Sequence, residues 1–550
     1  MVATYGQQPA THPLLPFTNR AEENHRGQEH SGENLTGIDL SQSVLVAVDF
    51  RDSNLSGSNL KAANLTRADL TNANLKNADL SNADLTDASL VETDVTGSNF
   101  SNALIRGANL WRLVGFTQDQ LQSTSDYQRR GLQDVTFRSL DPTGWSFAQQ
   151  DLTTSRFADV SLRDVDMTDA IVAYTSFYRV TDLGFTASQL YFTLSYQEGQ
   201  LTRLRLNQNN LVGWNFVEQN LQRSGFSESV LTNAQFRGAD LTGDWLNDAN
   251  LTNADFTDAI VANARFDGAV GITQEQLYYT ESYKQENLAG IRLGHLDLRH
   301  WDLAGQDLTK AQLGNLAFAN LAQSTLTLAT IGDLTEANIT QADLSEAELR
   351  SISLRGAKAE GAVFSCATLF FADFAGADLR SALFDQAELF ETNFSGAKLA
   401  NASFQNVPAL AAARFDSTTT YNQWTIFPDG FDPVSAGLTY VESPRGDINA
   451  DQEVDVSDID LIAATIRSPV PANNWHLIHL FDLNLDKSVD SQDQFYWVHN
   501  LVNTYFGDVN MDGEFNSTDL VLALQGGEYE DSELGNSTWA EGDWNGDGDL

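Results

Sequence analysis

Three stretches near the end of the chain, DINADQEVDVSD (447–458), DLNLDKSVDSQD (482–493) and DVNMDGEFNSTD (508–519), space their oxygen-bearing side chains alike. Each places Asp, Asn and Asp at loop positions 1, 3 and 5: Asp447, Asn449 and Asp451; Asp482, Asn484 and Asp486; Asp508, Asn510 and Asp512. Position 7 is Glu453, Ser488 or Glu514, position 9 is Asp455, Asp490 or Asn516, and position 12 is Asp458, Asp493 or Asp519. A Ca²⁺ ion takes six to eight hard oxygen ligands around a tight loop, so Ca²⁺ is the expected cofactor. Glycine at position 6 eases the sharp turn, and only Gly513 supplies it; Gln452 and Lys487 stand there in the other loops, which predicts strain or weaker binding. A fourth loop opens with Asp543, Asn545 and Asp547 but reaches Leu550 before its position 9, and it reads as cut short. The bland alternative is that so many carboxylates bind a cation simply in order to fold.

This spacing is that of the EF-hand loop with Asp in place of the usual final Glu. A 12-residue loop running straight into a helix, as in GDVNMDGEFNSTDLVLAL, resembles the dockerin family. The resemblance implies calcium-folded modules that dock onto cohesin-like partners in extracellular assemblies. It also implies partner-choosing residues at positions 10 and 11: Val456 and Ser457, Ser491 and Gln492, Ser517 and Thr518. Starts at 447, 482, 508 and 543 read as two loop pairs, the second incomplete.

The charge agrees with that division. The 550 residues carry a formal net charge of −43, and residues 446–550 hold 22 Asp plus Glu against Arg467 and Lys487 alone. No catalytic constellation is legible: there is no phosphate-cradling loop, no nucleophile elbow and no Cys/His cluster, and the chain is read as no enzyme. A basic nucleic-acid surface is not expected either. No apolar run is long enough to span a bilayer, and residues 1–33 show no secretory signal and read as a disordered leader with solvent-exposed His25 and His30. The single Cys366 excludes an intramolecular disulfide and reads as a packing or surface thiol. The calcium loops point outside the cytosol, to an extracellular or cell-surface place.

What must position these loops is a repeat. Every fifth residue from Leu35 to Leu110 is apolar, the residue two before it is mostly Ala or Ser, and the one just before is mostly Asn or Asp. A period of five smears around a helix and alternates faces on a strand, so the chain must turn a corner every five residues. The units ANLTR, ADLTN, ANLKN and ADLSN look like the pentapeptide-repeat family. That resemblance, over roughly 35–404, implies a mainly β fold: a right-handed quadrilateral β-helix with four pentads per coil. About 64 pentads would make roughly 16 coils, a continuous stack of at most about 75 Å.

Three copies of one insert interrupt the phase, from Gly115, Gly184 and Gly271, and a tryptophan follows each glycine by 30 residues: Trp145, Trp214 and Trp301. Each insert opens with Thr-x-x-Gln, the capping-box spacing, and predicts a short surface helix covered by that tryptophan; an aromatic strip for sugars is the alternative. The phase slips again around 319–333, and phenylalanines alternate with leucines from Phe364 to Phe404, predicting two phenylalanine walls. The expected segments are a leader (1–33), repeats (34–114), three insert-plus-repeat blocks (115–183, 184–270, 271–406), a cap and linker (407–445) and a small α-helical dockerin-like EF-hand region (446–550). The function expected is a non-enzymatic scaffold with a calcium-binding tail for attachment. The alternatives are an accessory subunit of a polysaccharide-degrading assembly, with a polysaccharide ligand, and an acidic DNA-mimic topoisomerase inhibitor.

Overall fold

The computed structural model describes residues 14–467, 480–526, 538–541 and 543–544. The chain divides into two compact units, Met1–Leu296 and Asp297–Leu550. Both are built on a parallel ladder in which a residue bridges the residue 20 further on, as in Asn54↔Asn74, Asn74↔Asp94 and Asp343↔Val363. Four pentads therefore close one coil of a β-solenoid.

One pentad, 60–64, shows why the sequence takes this path. The amide of Leu60 donates to Asp79 O (2.8 Å) and that of Ala62 to Ser81 O (2.9 Å), on the next coil. The Asn64 amide donates back to Ser43 O (2.9 Å), and Ala63 closes the corner onto Leu60 O (3.1 Å). The fifth amide, of Lys61, goes to the side chain of Asn59 at 3.3 Å. Every backbone donor is thus matched, and the Asn or Asp before each centre supplies what the ladder cannot. Ala62 has φ 56° in a turn whose preceding residue is not left-handed, the type II arrangement that each corner repeats. Leu60 and Ala63 point inward, 0% and 1% exposed.

The ladder starts earlier than the expected leader boundary. Asn19, Asn24 and Glu29 bridge Asp39, Val44 and Asp49. His25 and His30 occupy centre positions and are buried, correcting their reading as solvent-exposed. An imidazole can stand in for leucine because its nitrogens meet partners at the corner: His25 Nδ1 lies 2.9 Å from Gln28 Oε1, and His30 Nδ1 lies 3.2 Å from Glu33 Oε2. The His30 ring also stacks on Phe50 at 5.7 Å.

Each insert lengthens one coil, so Asn109 bridges Thr136, Ser176 bridges Arg205 and Arg265 bridges Arg292. The structure shows two one-turn helices per insert where the sequence suggested one: Gln118–Ser123 and Ser125–Gln128, Ala187–Tyr191 and Leu194–Gln197, Gln274–Tyr278 and Glu281–Lys284. All three capping boxes form, at Thr117/Gln120, Thr186/Gln189 and Thr273/Gln276. The glutamine does more than cap: Gln189 Nε2 donates to Leu162 O (2.7 Å), which also takes the corner amide of Val165, and to Val165 O (2.8 Å), a carbonyl that the lengthened coil leaves without a ladder amide. Gly115 is required at its insert's start, because a Cβ there would fall 2.9 Å from Thr96 Cα. Trp145 and Trp214 are buried, the first against Phe116 and the second against Phe185 at 6.0 and 5.8 Å, and Trp301 is buried as well. They form no exposed aromatic strip.

In Asp297–Leu550 the phase slip is a lost corner. Leu313 and Leu316 are three residues apart, as are Ile331 and Leu334, and the short strands Gln312–Asn315 and Thr330–Asp333 pair in parallel with an offset of 18. Gly332 permits this, since a Cβ would approach Gly314 O at 2.9 Å. Further on, Phe364, Phe384 and Phe404 stack at 4.9 Å, Phe374 stacks on Phe394 at 5.2 Å, and the two columns meet edge to face across the interior. The pentads stop at Phe404 but the ladder does not. Arg414, Thr420 and Ile426 bridge Asn393, Lys398 and Ser403, while Phe415 and Phe427 extend the two ring columns. Residues 407–445 thereby cover the last regular coil, and the edge strand Thr420–Tyr421 is itself paired with Thr439–Tyr440.

Two outcomes follow. Gln189→Ala strands the Val165 carbonyl and weakens the bonding of Leu162 O, and is expected to cost about 1–3 kcal/mol in urea denaturation, with a far smaller loss for Gln197→Ala. Burial holds His30 below the ordinary imidazole value of 6.5, despite the opposing pull of Glu33 and Asp49. Below that value the unfolded chain binds more protons than the folded one, so the first coils lose stability as pH falls. Amide protection factors over 19–33, corrected for the intrinsic pH dependence of exchange, should fall from about pH 7 to about pH 5, and His30→Leu should remove that fall.

Candidate metal centre

Loops 447–458, 482–493 and 508–519 share one hydrogen-bond scheme. The position-12 carboxylate ties the loop together: Asp458 accepts from Ile448 N (2.6 Å), Asn449 N (3.1 Å) and Asp455 N (2.9 Å). Asp493 does the same with Leu483, Asn484 and Asp490, and Asp519 with Val509 and Asn516. At position 1, Asp447, Asp482 and Asp508 are buried and accept the position-6 amides of Gln452, Lys487 and Gly513 at 3.2, 3.0 and 2.7 Å. Asn449, Asn484 and Asn510 accept the position-5 amide, and Asp451, Asp486 and Asp512 accept the amide of Glu453, Ser488 or Glu514. At position 9, Asp455, Asp490 and Asn516 accept the amides of Ser457, Gln492 and Thr518. The strain expected at position 6 is visible: Gln452 and Lys487 adopt φ 81° and 75°, beside 87° for Gly513.

A helix follows each loop: Val456–Arg467, Ser491–Tyr496 continued by Trp497–Val502, and Ser517–Gly526. The first two loops share a core, and Trp539 packs into it. Ile448, Ile459, Ile462, Leu483, Trp497, Val498 and Trp539 form one core. Trp539 joins the third loop to the first helix, its indole donating to Asp508 O (3.0 Å) and its amide to Asp460 Oδ1 (2.7 Å). Val456 is half-buried at a helix start, whereas Ser457, Ser491, Gln492, Ser517 and Thr518 are exposed in the first turns of three separate helices. Asp543, the first residue of the fourth loop, is buried and paired with Arg467 at 2.9 Å, a partner the sequence did not reveal. Asn545 and Asp547 lie outside the described residues.

The electrostatics suit a cation. Among the described residues no three His, Cys, Asp or Glu side chains gather as a ready-made cluster, so any site draws on carboxamide, hydroxyl and backbone oxygens too. Asp482 Oδ1 is buried and accepts no hydrogen bond. Burial pushes Asp458 up to about 6 and raises Asp447 and Asp493, against the opposing pull of their amide donors. These groups stand in an environment that penalises an uncompensated negative charge.

The first loop is also bolted to the solenoid of its own unit. Asn401, 2% exposed, donates to Ile448 O (3.0 Å) and accepts from Asn422 (2.8 Å), which in turn donates to Ser443. Arg380 donates to Asn449 O (3.0 Å) while paired with Glu360 and Asp378. Arg445 reaches Leu483 O (2.8 Å), and the Trp497 indole reaches Gly446 O (2.9 Å). Asn401 and Arg380 sit in outward or corner slots of ordinary pentads, so nothing in the repeat pattern marked them.

A model of pentapeptide repeats matches eight copies, over residues 34–61, 63–102, 73–112, 210–243, 234–270, 333–369 and 367–406. These segments of the chain are pentapeptide repeats. Among solved structures the chain is similar to HetL, a pentapeptide repeat protein involved in heterocyst differentiation regulation in the cyanobacterium Nostoc sp. strain PCC 7120, at 21% identity over 51% of this chain and 89% of that one, with a TM-score of 0.13. A pentapeptide repeat protein of the Arabidopsis thaliana thylakoid lumen shares 26% identity over 26% and 68% of the two chains, TM-score 0.14. QnrB1, a plasmid-mediated fluoroquinolone resistance protein, shares 11% over 49% and 92%, TM-score 0.12. A search of curated proteins gives no match. The family model does not extend beyond residue 406, so the three loops stand on their own geometry.

Asn401→Ala removes a buried donor and acceptor at the seat. It should lower the unfolding free energy of the unit by about 1–3 kcal/mol and speed amide exchange in 446–458, leaving exchange over 35–110 unchanged.

Proposed function

We propose that this protein is a non-enzymatic interaction scaffold: a right-handed quadrilateral solenoid carrying a calcium-binding, dockerin-like region that serves attachment or assembly at an extracellular or cell-surface site. The observation that carries this reading is the seat of the first loop. A tail on a free linker would need no contact with the solenoid, whereas Asn401 and Arg380 hold Ile448 and Asn449 directly on its coils. Ordering the loops by a cation would therefore stiffen the attachment of a rigid body, which is what a scaffold requires of its anchor.

Residues available to hold Ca²⁺ are the position 1, 3, 5 and 9 side chains of each loop with the position-12 carboxylate and the backbone of position 7. In the second loop the unpartnered Asp482 Oδ1 is the natural first ligand. When bound, the ion supplies the positive charge that these buried carboxylates lack. The segment boundaries at 115, 184, 271, 407 and 446, a cohesin-like partner and a glycan-assembly role belong to the same proposal. The buried tryptophans leave a polysaccharide ligand no aromatic strip at Trp145, Trp214 and Trp301. A DNA-like surface is disfavoured by the arginine face of Met1–Leu296 described below.

Calorimetric titration of chelator-treated protein should show Ca²⁺ uptake with affinity between micromolar and millimolar and a rise in melting temperature. Asp482→Asn should remove one of the binding events. Absence of heat and of any thermal shift up to about 10 mM Ca²⁺ would sink the reading.

A further inference from the structure

In this acidic chain most surface arginines lie against carboxylates: Arg51 on Asp49, Arg179 on Asp159, Arg292 on Asp267. Four on one face of Met1–Leu296 do not. Among the described residues Arg203, Arg205, Arg223 and Arg265 have no ion-pair partner, and all four are exposed. They are gathered by the ladder. Residues 205, 225, 245 and 265 form one bridge column, and 203, 223, 243 and 263 form the neighbouring corner column.

The two columns read Arg, Gly, Trp, Arg and Arg, Arg, Gly, Asn. Gly225 and Gly243 lower the middle, and the outcome is a cavity of about 430 Å³ walled by the arginines, Trp245 and Asn263. Trp245 is 43% exposed, and the guanidiniums of Arg265 and Arg205 lie 5.4 and 5.8 Å from its ring centre. They approach from opposite ends of the column, so the indole holds two cations in place by cation–π attraction. Of the nearby carboxyls, Asp267 is already paired with Arg292, Asp244 is wholly buried, and Glu228 takes a hydrogen bond from Gln208. Burial drives the Asp244 carboxyl well above its ordinary range, which favours its neutral form.

Four uncompensated cations held together repel one another unless an anion joins them. We propose that this groove binds a compact multivalent oxyanion, a molecule or short oligosaccharide whose carboxylate, sulfate or phosphate groups span the four rungs from Arg205 to Arg265, about 14 Å at the inter-strand spacing. A long nucleic acid does not fit. Both approaches to the one exposed indole are taken by guanidiniums, leaving no platform for a stacked base. The net charge of −43 would also repel a polyanion extending past the groove.

The test is calorimetric titration of the full chain at about 20 mM salt with tripolyphosphate, trigalacturonate and a sulfated hexasaccharide as probes, and a single-stranded DNA 12-mer as the competing class. At least one of the three should bind one to one with Kd below about 1 mM and weaken about tenfold or more in Arg205→Ala/Arg265→Ala. Arg67→Ala, outside the groove, should bind as the parent does. Arg265→Lys keeps the charge and should fall between, which separates loss of the site from loss of folding; circular dichroism and melting temperature should be unchanged in all. Failure of all three probes to bind, binding indifferent to the double change, or tighter binding of the DNA than of any probe would overturn the proposal. None of these outcomes depends on calcium.

Discussion

Every coil depends on one requirement, that all five backbone amides of a pentad find an acceptor while the chain bends four times in 20 residues. Three reach the adjacent coils, one closes the corner, and the last is taken by the Asn or Asp carboxamide or carboxylate beside it. The requirement explains the left-handed residue at each corner. Asp52, Asn72, Asn77 and many like them sit near φ 58°, a conformation that costs free energy in isolation but is over-determined here by ladder bonds on either side. Polar repeat positions therefore serve backbone satisfaction, and apolar ones serve packing.

Departures from the 20-residue coil show the same rule at work. Where an insert lengthens the coil, carbonyls lose their amides and the cap glutamines replace them. Asp126 plays the converse part, accepting the Ile105 and Arg106 amides at 2.5 and 3.0 Å. Where two residues are missing, a corner is dropped and a pair of glycines lets straight strands pass. After Phe404 the path becomes irregular, yet Phe415 and Phe427 keep the ring columns stacked. The stacked rings tolerate irregular connections because each ring needs only its neighbours one coil away.

Charge is distributed along the repeats by the same economy. Outward slots are free of packing demands, so they can hold an acidic surface, paired arginines or an unpaired arginine group without cost to the core. The loops at 447–458, 482–493 and 508–519 turn their position-1 and position-12 carboxylates inward instead, where backbone amides hold them. Buried acids that are satisfied by amides alone remain electrostatically unfinished.

The pentad period, the helix caps of the inserts and the oxygen spacing of the loops were legible in the residues alone, because each is a local pattern repeated at fixed intervals. Local patterns also misled at the edges: His25 and His30 keep the five-residue phase, but imidazole did not look like a core residue until Gln28 and Glu33 were seen to satisfy it. The pairing of Asp543 with Arg467, the fusion of three loops through Trp539 and the seat at Asn401 join residues 21 to 79 positions apart. So does the arginine groove, whose members are ordinary in their own pentads. Sequence determined the coil because its rules act within five residues; only the stacking of coils decided which outward side chains become neighbours, since that depends on insert lengths and dropped corners that set the register between rungs.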